Sequence, residues 1–348
     1  MKKMIKRAVQ IILTLFIVFI AISFFILNYS KEMPEEGVIF EVERGQRLVD
    51  IADGLVENEI IRSKYLFLGY SRITGRAGGM QAGSYRLDSE MSIIDVINKF
   101  YDGDTFYETV TLIEGWTLLQ MAEHLEEREI VSREEFLSIT GISKPQADLI
   151  EISDLPTGIE DRYRVLEDLP DNASLEGYLF PDTYRVNPKN PKDMVRRMIL
   201  NLERRLSEGI MEEIEDSGRS IHEIITMASI LEREVRTIED KKMVSDILWR
   251  RMRAGIPLQV DATVNYITGR RGTDVLISET RINSPYNTYA RNGLPEGPIS
   301  NPGIASIEAA VRPMDNDFWY YLSDPETGET IFSRNHAEHV EAKNKYLR

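Results

Sequence analysis

The sequence predicts an α+β protein behind a single apolar N-terminal helix. Three observations carry this. An uncharged stretch of twenty residues follows a basic N-terminus, a strand–glycine turn–helix pattern occurs twice, and later helical periodicities give way to a closing hairpin. The 348 residues are 42% hydrophobic and 28% charged, enough to bury about two cores. Forty-two Lys and Arg stand against 57 Asp and Glu, a net charge of −15. That balance excludes a nucleic-acid binder, which needs a basic face. Without cysteine there is no disulfide framework, thiol nucleophile or Cys-type zinc site.

Lys2, Lys3, Lys6 and Arg7 precede the run Ala8–Leu27, interrupted only by Gln10, Thr14 and Ser23. Twenty helical residues span about 30 Å, the hydrocarbon thickness of a bilayer. A signal peptide is the rival reading, but its apolar region is shorter and ends at a small-x-small site. Here the run ends in Phe24-Phe25-Ile26-Leu27. The expectation is an uncleaved anchor over 8–28 with residues 1–7 in the cytoplasm and the remainder outside. Outside the anchor, 38 positive and 57 negative residues leave a net −19, so the helix alone would hold the protein to an anionic membrane.

Glu43, Gly45, Leu48, Ile51 and Ala52 recur seventy residues later as Ile113, Gly115, Leu118, Met121 and Ala122. Each copy reads as a short strand, a glycine turn and an amphipathic helix. Ser84–Leu87 reads as a strand returning beside the first copy, and 92–100 as a short helix. The pattern resembles a LysM-like unit, a βα module that often binds glycan; plain βα packing is the alternative. Residues 139–174, with Pro145, Pro156 and Pro170 among many acids, read as an irregular insertion carrying at most a short helix. Helices are expected near 192–214 and 221–253. A hairpin of Phe318–Leu322 and Thr330–Phe332 and a final helix over 336–347 close the chain.

The most informative local feature lies in Ile221–Val235. At 100° per residue, Glu232 falls within about 20° of both Ile221 and Ile225. Glu232 therefore interrupts an apolar stripe, while Glu234, Arg233 and Arg236 read as surface charge. A glutamate against apolar walls keeps a proton near neutral pH, as a glycosidic leaving oxygen requires. A glutamate paired with an arginine, or capping buried amides, is the competing reading. Leu175–Tyr184 (read as an aromatic strand and turn), 259–266 and 284–303 add aromatic, hydroxyl and amide groups on Pro/Gly-rich loops. Such loops suit a sugar cleft, or equally pack their own tyrosines.

Together Leu175–Tyr184, Ala228–Glu234, Asp261-Ala262-Thr263 and Tyr286–Gly303 resemble, in order, the endolytic murein transglycosylase family (MltG, YceG-like). The resemblance implies a LysM-like subdomain over 38–104 and a mixed α/β catalytic domain over 105–348. It implies endolytic cleavage of the MurNAc–GlcNAc β-1,4 bond of peptidoglycan with a 1,6-anhydroMurNAc end, needing no cofactor or metal. The family's catalytic glutamate falls on Glu232. Glu176, Tyr184, Asp261, Tyr286, Asn287 and Tyr289 are the implied substrate contacts. Placement in the bacterial cytoplasmic membrane and partnership with penicillin-binding proteins and the wall-synthesis machinery follow from the resemblance alone. Two other classes remain: a hydrolase, with Glu176 or Asp261 activating water, and a non-enzymatic glycan-binding scaffold.

Overall fold

The computed structural model describes residues 2–28, 37–88, 90–151, 158–159, 163–270 and 275–347. The chain divides into two compact units, Met1–Glu108 and Thr109–Arg348. The architecture is α+β: helices dominate, and each described sheet has two strands.

The first unit begins with α1 (Lys2–Asn28), whose segment Val9–Leu27 has a mean hydropathy of 2.8 and is long enough to cross a membrane. After it come β1 (Val38–Val42), α2 (Leu48–Glu57), α3 (Lys64–Ile73), β2 (Gly83–Leu87) and α4 (Ile93–Asp102). β1 and β2 pair antiparallel with Phe40 opposite Tyr85. Their inward residues join Ile51, Leu55, Phe67, Ile97 and Phe100 in a small core of its own. The returning strand and the helix after residue 92 stand where the sequence places them. Ser92 and Asp95 start α4 with a reciprocal cap, which satisfies otherwise orphaned amides.

The second unit opens through β3 (Glu108–Thr111), α5 (Leu118–Glu127), α6 (Arg133–Thr140) and α7 (Lys144–Leu149). The repeat is structural. Gly45 and Gly115 take left-handed φ of 82° and 80°, and the residues ending each helix, Glu59 and Glu129, take φ of 57° and 55°. Ile60 N–H and Ile130 N–H then bond back to the carbonyls of Leu55 and Leu125, closing the two copies alike. Within 139–174, α7 and the turn at Arg164–Leu166 are ordered elements, and Ile142, Ala147 and Val165 enter the core. Residues 152–157 and 160–162 lie outside the described residues.

Next come β4 (Thr183–Val186), α8 (Pro191–Arg205), α9 (Glu208–Asp216), α10 (Ile221–Glu234) and α11 (Ile238–Arg253). Each long helix expected from periodicity is thus two. Thr237 caps Asp240 N–H and starts α11 afresh after the extended Val235, and Ser207 stands at the start of α9. The expected strand over 175–184 is a set of turns, with β4 beginning only at Thr183. β3 pairs with β4. Then follow α12 (Asp261–Thr268), α13 (Ile304–Val311), the antiparallel hairpin β5 (Tyr320–Ser323) and β6 (Thr330–Ser333), and α14 (His336–Tyr346). α10 runs through the middle of this unit. Ile224, Ile225, Met227, Ala228, Ile230 and Leu231 are fully buried, and no residue of the helix is fully exposed.

Candidate functional site

α10 starts at Ser220, whose hydroxyl accepts from Glu223 N–H while the Glu223 carboxylate accepts from Ser220 N–H. That cap fixes the helix phase, and three turns later Glu232 arrives at the N-terminal end of α13. Gly303 N–H donates to Glu232 Oε2 at 3.0 Å, and Ser306 Oγ donates to the same oxygen at 2.6 Å. Lys241 Nζ, from the first turn of α11, donates to Oε1 at 3.0 Å. The Lys241 and Glu232 side chains are 6% and 10% exposed. The walls around this carboxylate are therefore polar, not apolar as the helical stripe implies. A carboxylate offers about four acceptor positions. Three are filled by these donors, leaving one on Oε1 for a proton. Beside it stands Glu114, on the turn before α5. Its carboxyl is held above the usual range by partial burial and by the charge of Glu232, with Lys241 opposing.

A second cluster lies behind the first. Asn301 is fully buried and uses every hydrogen-bonding position of its amide. Oδ1 accepts from Gly177 N–H and Leu179 N–H, both at 3.0 Å, while Nδ2 donates to Trp116 O and Glu176 Oε1, also at 3.0 Å. Glu176 also accepts from Leu118 N–H, at 3.1 and 3.2 Å, at the start of α5. The Tyr266 hydroxyl lies 3.2 Å from Glu176 Oε2 and 2.6 Å from Ser143 Oγ, a chain that serves Glu176 with or without its proton. Gly177 (φ 89°) lets the backbone pass here. A β-carbon would meet Pro298 at 2.5 Å and Ile225 at 2.8 Å. Ser229 of α10 bonds Ile299 N–H and accepts from Ser300 Oγ through its carbonyl, which fastens the 284–303 loop to α10.

A profile of the YceG-like family matches residues 40–345. The chain belongs to the YceG-like family. It is 32% identical over 320 residues to the endolytic murein transglycosylase of Bacillus subtilis, covering 89% of this chain and 85% of that protein. It is 26% identical over 329 residues to the enzyme of the same name from Streptococcus pneumoniae strain D39, covering 87% of this chain but 58% of that longer relative. A crystal structure of a yceG-like protein from Listeria monocytogenes superposes with a TM-score of 0.56 at 28% identity, over 89% of this chain and all of that one.

The other residues expected at the site are tied into the protein's own packing. Tyr184 is buried, donates to Phe180 O at 2.6 Å and accepts from Asn201 Nδ2. Asn287 is fully buried, and its amide staples its own loop through Thr280 O, Ile282 O and Tyr289 N–H. Tyr286 is buried against Tyr266 with ring centres 5.1 Å apart. Asp261 and Tyr289 are half-buried and bonded to each other. Asp261 starts helix α12 rather than sitting on a loop.

Two sequence expectations are overturned. Glu234 is not a surface charge: Tyr321 Oη donates to its Oε2 at 3.0 Å and Ala262 N–H to its Oε1 at 3.3 Å. Burial first, and Asp261 besides, pushes its carboxyl up to about 7. Arg233 is half-buried, and burial lowers its pKa against the favourable charges of Glu176 and Glu234. A helical wheel assigns one face to solvent, but no residue at this end of α10 is more than partly exposed; Arg236, past the helix, is exposed. Sequence reasoning also passed over Lys241, Ser306 and Glu114. Lys241 left a signal, since it shares the stripe of Val244, Ser245 and Leu248, all buried on α11.

Burial pushes the Glu176 carboxyl up to about 8, against hydrogen bonds that favour its ionised form. Its ordinary value is 4.5, so the unfolded chain releases this proton first. The stability due to Glu176 is therefore full below about pH 4.5 and is lost as pH rises to about 8. The expected loss is on the order of 1 kcal/mol per pH unit. Glu234 acts in the same direction up to about 7. Urea unfolding of the full chain across this range should show the decline, and Glu176→Gln should make it shallower. An unchanged slope in the variant would show that Glu176 is ionised in the folded protein.

Proposed function

We propose that the protein is an endolytic lytic transglycosylase of peptidoglycan, held in the cytoplasmic membrane by α1. It cleaves the MurNAc–GlcNAc β-1,4 bond and leaves 1,6-anhydroMurNAc ends. The observation that carries this reading is Glu232, a nearly buried carboxyl with three fixed donors and one acceptor position left over, in a chain whose relatives bear the name endolytic murein transglycosylase.

In the proposed reaction Glu232 carries a proton on Oε1 and gives it to the glycosidic oxygen as the bond to C1 breaks. Charge develops on the carboxylate at that moment. Lys241, Gly303 N–H and Ser306 Oγ already point at it, so little reorganisation is needed. The carboxylate then takes the proton of the muramyl C6 hydroxyl while O6 closes on C1. The nucleophile belongs to the sugar, so ring closure is intramolecular and requires no captured water. Asp261 and Tyr289, half-buried and paired, are the proposed sugar contacts from the remaining set. Glu176, Tyr184, Tyr286 and Asn287 hold the walls in place.

Lys6 and Arg7, with Lys2 and Lys3, orient α1 with its N-terminus in the cytoplasm. The β1–α2–α3–β2 arrangement supports a LysM-like reading of the first unit. A second reading, hydrolysis, is favoured by one observation: Glu114 stands beside Glu232, and two carboxyls are the usual equipment of a hydrolase. Mass spectrometry of fragments released from purified peptidoglycan separates the two. Anhydro ends, one water lighter than reducing ends, are expected, and reducing ends would establish the hydrolase.

A further inference from the structure

The two copies of the repeated unit carry the same turn with different side chains. Arg44-Gly45-Gln46 in the first corresponds to Glu114-Gly115-Trp116 in the second. In the second copy the turn is locked to the loop that leads into α13. Gly115 N–H donates to Asn301 O at 2.9 Å, and Asn301 N–H donates to Trp116 O at 2.8 Å. The lock lays the Glu114 carboxyl over Gly303, so close that a β-carbon on Gly303 would stand 2.0 Å from Glu114 Oε1. Gly303 N–H is itself bonded to Glu232 Oε2 at 3.0 Å. A β-carbon on Gly115 would in turn lie 3.6 Å from Glu232 Cγ. Two carboxyls thus flank one glycine.

The charged groups acting on Glu114 are Glu232 from α10 and Lys241 from α11. α13 presents the Gly303 N–H and the Ser306 hydroxyl, both spent on Glu232. The Glu114 turn itself adds the Trp116 ring, which lies edge-on to His124 at 5.0 Å. Glu232 has three donors, while Glu114 is largely exposed with its carboxyl only partly covered. The two carboxyls share one backbone neighbour, Gly303, and the charge of Glu232 acts on Glu114 across it.

We propose that Glu114 is the charge partner of Glu232: the two carboxyls hold one proton between them, and Glu114 keeps that proton at the site against the pull of Lys241 and the α13 amide. The inference rests on the lytic reading and deepens it. Glu114 acts through Glu232 and is a positioning residue. The proton balance closes. Glu232 gives one proton to the glycosidic oxygen, receives one from the C6 hydroxyl, and the pair ends with the single proton it began with.

The test is the pH dependence of kcat/KM for the full-length chain in detergent micelles, acting on purified glycan strands. Removing a neighbouring negative charge makes the essential proton easier to lose. Glu114→Gln should therefore move the alkaline limb down by roughly one pH unit and lower the rate above that limb about tenfold. Glu114→Asp, which keeps the charge, should return the limb towards its original position. A Glu114→Gln limb that stays in place, whether or not the rate falls, would overturn the proposal. A second readout is independent of the reaction. In protein labelled with carboxyl-13C glutamate, the Glu114 titration, identified by its loss in Glu114→Gln, should move to lower pH in Glu232→Gln. Equal midpoints in the two backgrounds would overturn the pairing. Reducing ends from an otherwise active enzyme would overturn the lytic reading while leaving this coupling measurable.

Discussion

Glu232→Gln is expected to lower the release of glycan fragments by about 10²–10⁴-fold, the usual worth of a positioned acid–base group. The substitution keeps shape and removes the transferable proton. It also turns one acceptor into a donor. If the amide oxygen serves Gly303 N–H and Ser306 Oγ, the new NH2 faces the Lys241 ammonium, which stood 3.0 Å from Oε1. A modest loss of stability follows, because donor now meets donor in a nearly dry place. Combining Glu232→Gln with Lys241→Met removes that conflict, so the double variant should regain stability and stay inactive. Fragment release near the original rate in the single variant would instead mean that another group supplies the proton, and Glu232 would not be the acid.

Asn301→Ala should be the most destabilising single change near the site. It leaves Gly177 N–H and Leu179 N–H without their partner and takes from Glu176 Oε1 one of its two donors, Leu118 N–H remaining, all in the interior. Each orphaned buried group costs about 1–3 kcal/mol, so a total of roughly 3–5 kcal/mol is expected. For a unit of this size that lowers Tm by roughly 6–20 °C. Activity should fall even below the melting range, because Asn301 also ties the Trp116 turn to the loop before α13. Thermal unfolding followed by circular dichroism measures the first effect. A Tm within a degree or two of the parent would mean that water replaces the amide, contrary to its complete burial.

The features legible in the sequence were those whose causes are local. Gly45 and Gly115 marked their turns because only glycine takes that φ cheaply, and the stripes of Leu48–Ile51–Leu55 and Leu118–Met121–Leu125 marked the helices behind them. The odd placement of Glu232 on an apolar stripe was legible too. Its surroundings were not. Gly303 and Ser306 arrive more than seventy residues later, and only the fold brings them to Glu232. The same nonlocal packing explains Glu234, whose apparent solvent face is covered by α12 and the β5 strand. Glu114 was readable only by setting the two repeat copies side by side and asking why the second carries an acid where the first carries Arg44. The substrate contacts were the least legible. A tyrosine or asparagine on a Pro/Gly loop looks the same whether it faces a sugar or, like Asn287, staples its own turn.

In the proposed reaction the glycosidic bond is broken without water. Digestion of purified peptidoglycan in H2(18)O by the full-length protein tests it most directly. A lytic transglycosylase makes its new muramyl ends from the sugar's own C6 oxygen, so they should carry no heavy oxygen and should be anhydro. New reducing ends carrying 18O at C1 would contradict this and make Glu232 and Glu114 the two carboxyls of a hydrolase.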